Sequence, residues 1–186
     1  LPQSIQRAKH VLTVSEFTRG EIARHFGLDQ EAMTVVTPAA SADFRPYGPE
    51  ACESVRMRYA LPEHYLVSVA TLEPRKNLLG LIKAYSQLPE DYRNAYPLVL
   101  VGGKGWHTGE ITTALAQLPD RQLVCLGYVS QADLPKIISA ASVMAYPSFY
   151  EGFGMPVLEA MAAGTPVLPS DCSSMPEVSG GAAVLI

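Results

Sequence analysis

Short apolar runs alternate with stretches of helical periodicity from one end of the chain to the other. His10–Val14, Thr34–Thr37, Tyr65–Ala70, Leu98–Val101, Leu123–Leu126, Val143–Tyr146 and Thr165–Leu168 read as strands, and Ala183–Ile186 as the start of another. Ser15 caps a predicted helix that runs to about Phe26, where Gly27 stops it. Further helices are predicted over Glu50–Tyr59, Leu78–Leu88, Glu110–Leu118, Ser130–Ala141 and Pro156–Ala163. Ser130 serves as an N-cap with Asp133 three residues on, a capping-box variant. The Pro- and Gly-containing stretch Pro38–Pro49 reads as a linker or hinge. Apolar strands without alternation are strands buried on both faces, and helices between them make parallel βαβ crossovers. The predicted class is α/β, a doubly wound parallel sheet, Rossmann-like, that takes its ligand outside the carboxyl ends of the strands.

The chain has 186 residues, room for one domain or one domain plus a fragment. It begins with Leu1, so a processed piece of a longer protein is expected. Lys and Arg number 14 against 18 Asp and Glu, a net charge of −4, with 17% charged and 48% hydrophobic residues. That balance excludes disorder. The absence of a basic stripe argues against a nucleic-acid partner. No apolar run is long enough to span a membrane, and no basic-then-apolar leader is read at the N-terminus. Cys52, Cys125 and Cys172 are far apart and form no C-x-x-C, so they read as reduced core thiols, not a zinc site or a disulfide framework.

The candidate chemistry lies just after the strands. Arg75 and Lys76 follow the Tyr65–Ala70 strand at a helix start, where cations oppose the helix dipole. A bound phosphate would explain them, and a solvated basic pair is the other reading. Gly102-Gly103-Lys104-Gly105-Trp106 can admit a ligand to the backbone, or make an ordinary strand-to-helix turn. Gly127-Tyr128-Val129 offers backbone groups to a flat base. The richest segment is Pro147 to Glu159. Gly152, Phe153, Gly154, Met155, Pro156 and Val157 form a helix start suited to an anion. Glu151 and Glu159 bracket it, and each carboxylate can accept two hydrogen bonds from a vicinal diol. The alternatives are a loop carboxylate at Glu151 and a dipole-favoured acid at Glu159. The loop Ser170 to Glu177 reads as structural or rim-lining. The four histidines have no metal-like spacing, and G-x-S-x-G, the P-loop and strict G-x-G-x-x-G are absent.

Glu151-Gly152-Phe153-Gly154 followed by Glu159 resembles the E-x₇-E motif of the retaining glycosyltransferases of family 4, which have the GT-B fold. The stretch Pro147 to Val167 is similar to that family almost throughout. Thr71 to Asn77 resembles its diphosphate-binding strand end, Gly127 to Ser130 its base-binding turn, and Val14 to Phe17 the last strand and helix of its N-terminal domain. The resemblance implies one lobe of a GT-B fold. Residues 1–44 would end an acceptor domain and linker, and residues 45–186 would be a nucleotide-sugar-binding domain cut short at its C-terminus. It implies that Arg75 and Lys76 hold the donor diphosphate and that the backbone from Phe153 to Val157 meets the phosphates and the sugar. Glu151 would bind the hexose, Glu159 the ribose diol and the Val129 backbone the base. Arg75, Lys76 and Glu151 are the implied catalytic residues. Many members carry Arg where this chain has Thr71, and Arg75 is expected to take over. The implied partners are a nucleoside diphosphate sugar, GDP-mannose ahead of UDP-sugars, and a glycan or lipid-linked acceptor in cell-surface polysaccharide synthesis. No metal or other cofactor is implied. The implied location is the cytoplasm or the inner membrane face, the latter through peripheral contact by the absent lobe. A sugar-nucleotide epimerase, a phosphorylase and a non-enzymatic nucleotide-binding module are the alternatives. The isolated chain is expected to bind donor without transferring it.

Overall fold

The computed structural model describes residues 2–103, 105 and 109–186. Lys104, Trp106 and His107 of the sequence reading lie outside the described residues. The chain starts with α1 (Pro2–Arg7), β1 (Val11–Thr13), α2 (Glu16–Phe26) and β2 (Met33–Val35). An irregular stretch, residues 36–48, leads to α3 (Pro49–Tyr59). There follow β3 (Leu66–Val69), α4 (Leu78–Ser86), α5 (Glu90–Ala95), β4 (Leu98–Val101), α6 (Gly109–Leu115) and β5 (Leu123–Gly127). The remaining elements are α7 (Leu134–Ser139), β6 (Val143–Tyr146), α8 (Met155–Ala162), β7 (Val167–Pro169) and α9 (Met175–Ser179). Among the described residues no helix is long and apolar enough to cross a membrane.

β1 and β2 form a two-stranded parallel sheet, and the other strands form a five-stranded parallel sheet in the order β5-β4-β3-β6-β7. That is the doubly wound arrangement the sequence predicts. The buried strands β3 and β4 divide their side chains between two cores, and β6 adds to the first of them. Val67, Val99, Val101 and Met144 pack with Val55, Ile137, Ile138 and Val157 under α3, α7 and α8. Leu98 and Leu100 pack with Leu78, Ile82, Tyr85 and Ile111 under α4 and α6. Each strand residue serves the face its pleat assigns.

Local signals explain the helix ends. Ser15 Oγ accepts the Thr18 N–H at 3.0 Å, and Gly27, at φ 65°, accepts the left-handed turn that ends α2. Ser130 Oγ accepts the Asp133 N–H at 3.2 Å and donates to the Asp133 carboxylate at 2.8 Å. Half of the capping box therefore forms: the Asp133 carboxylate takes the Ser130 hydroxyl instead of its backbone N–H, and α7 proper begins only at Leu134.

Several expectations need correction. β5 contains no buried residue and Cys125 is exposed, because β5 is an edge strand. Cys125 is therefore not a core thiol. β1 and β2 are not buried on both faces either, since Leu12, Val14 and Val36 in and beside them are exposed. The short helices α1, α5 and α9 carry too few turns for a periodic signal; α9 occupies the end of the expected Ser170–Glu177 loop. Residues 184–186 fall short of a strand but run beside β7. Val184 and Ile186 donate to the Val167 and Pro169 carbonyls at 3.3 and 3.0 Å, and Asp171 donates to the Ile186 carbonyl at 2.7 Å.

Candidate functional site

β3 and β6 lie side by side, yet the chain runs from them to opposite edges of the sheet. Such a reversal opens a crevice at the carboxyl ends of the two strands. A cavity of about 500 Å³ occupies it, a volume suited to a small organic ligand. Its walls are Val69 to Thr71 at the end of β3, Val101 to Gly103 at the end of β4, Gly127 to Val129 at the end of β5 and Gly154 to Pro156 at the start of α8, with Lys76, Leu134, Tyr146 and Glu151 between them. Gly102 makes the wall continuous: at φ 144°, a Cβ there would lie 2.0 Å from the Ala70 carbonyl oxygen. Only glycine permits that approach.

One end of the cavity is a charge cluster around Glu151, which is 7% exposed. Its Oε1 accepts from Lys76 Nζ at 2.6 Å, Ser148 Oγ at 2.6 Å and Tyr146 Oη at 3.0 Å. Its Oε2 accepts from Arg75 at 2.7 Å. Lys76 Nζ also donates to Tyr146 Oη at 2.8 Å. Burial alone would push the Glu151 carboxyl up, but the hydrogen bonds from Lys76, Ser148 and Arg75 outweigh it and hold the group below its ordinary range. Burial, then the neighbouring Glu151, pushes the Tyr146 phenol up, so it remains a donor to the carboxylate. Oε1 is saturated by three donors, while Oε2 with one donor retains an acceptor position.

A pH dependence follows. The unfolded chain binds a proton at Glu151 more readily than the folded one, so the stability this cluster contributes is fully present above about 4.5, the ordinary carboxyl value, and is lost as pH falls through the lower folded value. Urea midpoints measured from pH 6 to pH 3 should fall on the acid side, and Glu151→Gln should flatten that limb. Identical acid limbs in the two proteins would contradict the assignment.

The other side of the cluster is the start of α8. Gly154 sits at φ 108°, and a Cβ there would lie 2.2 Å from Met175 Cε, so this turn needs glycine. Every carbonyl from Phe149 to Gly154 is engaged. Cys172 Sγ reaches that of Phe149, Arg75 that of Tyr150, and Ser174 Oγ those of Glu151 and Phe153. Ser15 and Thr18 reach that of Gly152, and the Val157 N–H turns back to that of Gly154. By contrast, the N–H groups of Gly152, Phe153, Gly154 and Met155 meet no acceptor among the described residues. Four consecutive free donors at a helix start are a place for an anion.

Lys76, Gly103, Tyr128, Val129, Glu151, Gly154, Met155 and Pro156 thus come together around one cavity. The other sequence candidates stand outside its wall. Arg75 is spent on the Tyr150 carbonyl, Glu151 and Glu73. Gly152 and Phe153 present carbonyls to other elements, and Val157 is fully buried with its N–H engaged. Glu159 is half-buried without a hydrogen-bond partner among the described residues, and burial pushes its carboxyl up. Thr71, where Arg is common in the resembling family, lines the cavity itself. Sequence reasoning missed Tyr146 and Ser148. Tyr146 ends an apolar run and reads as core; Ser148 lies inside the richest segment and could have been singled out there.

Residues 57–182 match the family model described as glycosyl transferases group 1. The O-antigen chain mannosyltransferase B of Escherichia coli is 42% identical over 188 residues, which cover all of this chain and 49% of that protein. The O-antigen chain mannosyltransferase RfbU of Salmonella typhimurium is 30% identical over the same shares. The chain therefore spans about half the length of these relatives. Among solved structures, WaaG, a glycosyltransferase involved in lipopolysaccharide biosynthesis, superimposes with a TM-score of 0.82 at 20% identity, over 99% of this chain and 52% of its own. HepE of Anabaena, in complex with UDP-glucose, gives 0.83 at 22% identity, over 96% and 50%. These structural likenesses extend the agreement from sequence to fold, and together with the family match they place the chain among the group 1 glycosyl transferases.

Proposed function

We propose that this chain is the donor-binding half of a retaining glycosyltransferase. Its donor is a nucleoside diphosphate sugar, GDP-mannose foremost, and its acceptor a glycan or lipid-linked glycan in the synthesis of a cell-surface polysaccharide. The observation that carries the reading is the pairing of the Lys76–Glu151 cluster with the α8 start, where four successive N–H groups are free among the described residues and two of them, those of Gly154 and Met155, belong to residues that line the same cavity. The mannosyltransferase relatives support mannose. The exposed apolar side chains of β1 and β2 support their continuation into an acceptor lobe.

In this reading the base lies against Tyr128 and the Val129 backbone, and the ribose diol donates to Glu159. Those donations would favour the charged form of a carboxyl that burial now opposes. The diphosphate meets Lys76 and the α8 start, and Glu151 Oε2 accepts a hexose hydroxyl. When the bond from the anomeric carbon to the phosphate oxygen breaks, its electron pair goes to the diphosphate. Lys76 and the N–H groups are preorganised to stabilise that charge. The acceptor hydroxyl bonds to the same carbon on the same face and loses its proton to the departing phosphate oxygen. The fixed positive groups fill the role of a metal, so none is required by this scheme. The reaction is placed in the cytoplasm or at the inner face of the membrane.

The protein with both lobes, given GDP-mannose or UDP-hexoses and candidate glycan acceptors, should yield a glycoside of unchanged anomeric configuration, read by mass spectrometry and NMR. An epimerised sugar nucleotide with no new glycoside would overturn the reading. The isolated chain should bind donor without turnover.

A further inference from the structure

The loop bearing Glu151 is held from outside the cavity by an element far away in sequence. Gly152 O accepts two hydroxyls from α2, Ser15 Oγ at 2.6 Å and Thr18 Oγ1 at 2.9 Å. Glu177 on α9 accepts the N–H groups of Glu16 and Phe17 at 2.8 and 3.1 Å, so its carboxylate caps α2 from across the molecule. The Phe17 ring packs edge-on against Tyr150, with centroids 5.3 Å apart. Both sequence neighbours of Glu151 are thereby tied to α2.

The backbone converts this tie into an orientation. In a trans peptide the carbonyl and the following N–H point in opposite directions, and no cis peptide occurs among the described residues. Holding Gly152 O against α2 therefore aims the Phe153 N–H away from α2. Ser174, on Phe153 O, fixes the Gly154 N–H in the same manner. These are two of the four donors that meet no acceptor. Hydroxyls donating to Gly152 O also polarise that peptide and strengthen its N–H as a donor.

We infer that Ser15 and Thr18 are positioning residues for the donor diphosphate. They set the Gly152–Phe153 peptide, and Glu177 fixes α2 so that they can. The segment before residue 44 thus tunes the anion site of the five-stranded sheet; this rests on the donor-site reading above. The alternative is a tie that only holds the two parts of the fold together.

The test compares affinities for GDP, UDP and ADP with those for their nucleosides. Thr18→Val removes one hydroxyl while keeping side-chain shape and the Ser15 cap. It should weaken binding of the accepted diphosphate by about fivefold to tenfold, the scale of one lost hydrogen bond, and leave nucleoside affinity within about twofold. Thr18→Ser should restore the diphosphate. Equal losses for both ligands, or no loss, would overturn the inference. Failure of the unsubstituted chain to bind any of the three diphosphates would show first, overturning the donor-site reading and this inference with it.

Discussion

Lys76→Ala should lower hexose transfer by about two to three orders of magnitude, the scale of one preorganised donor to developing charge. Binding of the nucleoside diphosphate should weaken by about tenfold to a hundredfold, as expected for a charge-assisted hydrogen bond. Nucleoside binding should change by less than about twofold, since the proposed pose puts the base and ribose away from Lys76. The reason is placement. The Lys76 side chain is 12% exposed, so its ammonium acts where water screens little. Tyr146 and Glu151 hold it at 2.8 and 2.6 Å, so it is in place before ligand arrives. The substitution also leaves the Glu151 carboxylate with Arg75 as its remaining cation, which should raise the Glu151 pKa and move the acid limb of stability to higher pH. Calorimetry with the diphosphate and its nucleoside separates the outcomes. Equal losses for both ligands would remove Lys76 from the phosphate site.

Glu151→Gln should divide binding from transfer. The carboxylate neutralises Lys76 and Arg75 in the free site. Removing its charge leaves Lys76 to the phosphates, and the diphosphate should bind about threefold to tenfold more tightly, a modest Coulombic gain in a partly screened site. Transfer should nevertheless fall by about a hundredfold or more. The hexose loses its charged acceptor, and the amide nitrogen of glutamine cannot accept from both the cations and Ser148. A variant that loses diphosphate affinity and transfer in parallel would show that Glu151 serves the phosphate end alone.

Much of this arrangement could be read from residue order. The runs now seen as β3 and β4 are apolar without strict alternation because cores lie on both faces, and that property exists within a single strand. The loops after them were legible because doubly wound sheets put ligands there. The contacts that orient the loops were not. Ser15 is visible in sequence as a helix cap, but its second partner, Gly152, lies 137 residues on. Tyr146 carries its hydroxyl at the end of a strand of core residues, and nothing local says that Lys76 and Glu151 meet it. Arg75 and Lys76 are adjacent, yet only Lys76 lines the cavity. Arg75 instead spans Glu73, Tyr150 and Glu151, a division that depends on where the Tyr150 loop packs. The edge position of β5, which exposes Cys125, likewise depends on strand order and not on the composition of the strand.

The central claim is that the crevice at the ends of β3 and β6 takes a nucleoside diphosphate. Titration calorimetry of this chain with GDP, UDP and ADP, at pH 7 and with Lys76→Ala beside it, tests that most directly. The account predicts one-site binding of at least one of the three, with Kd between about 1 μM and 1 mM, the usual span for enzyme substrates, and a marked loss in the variant. No heat of binding from any of the three with the folded chain, or an affinity unaltered by Lys76→Ala, would contradict it.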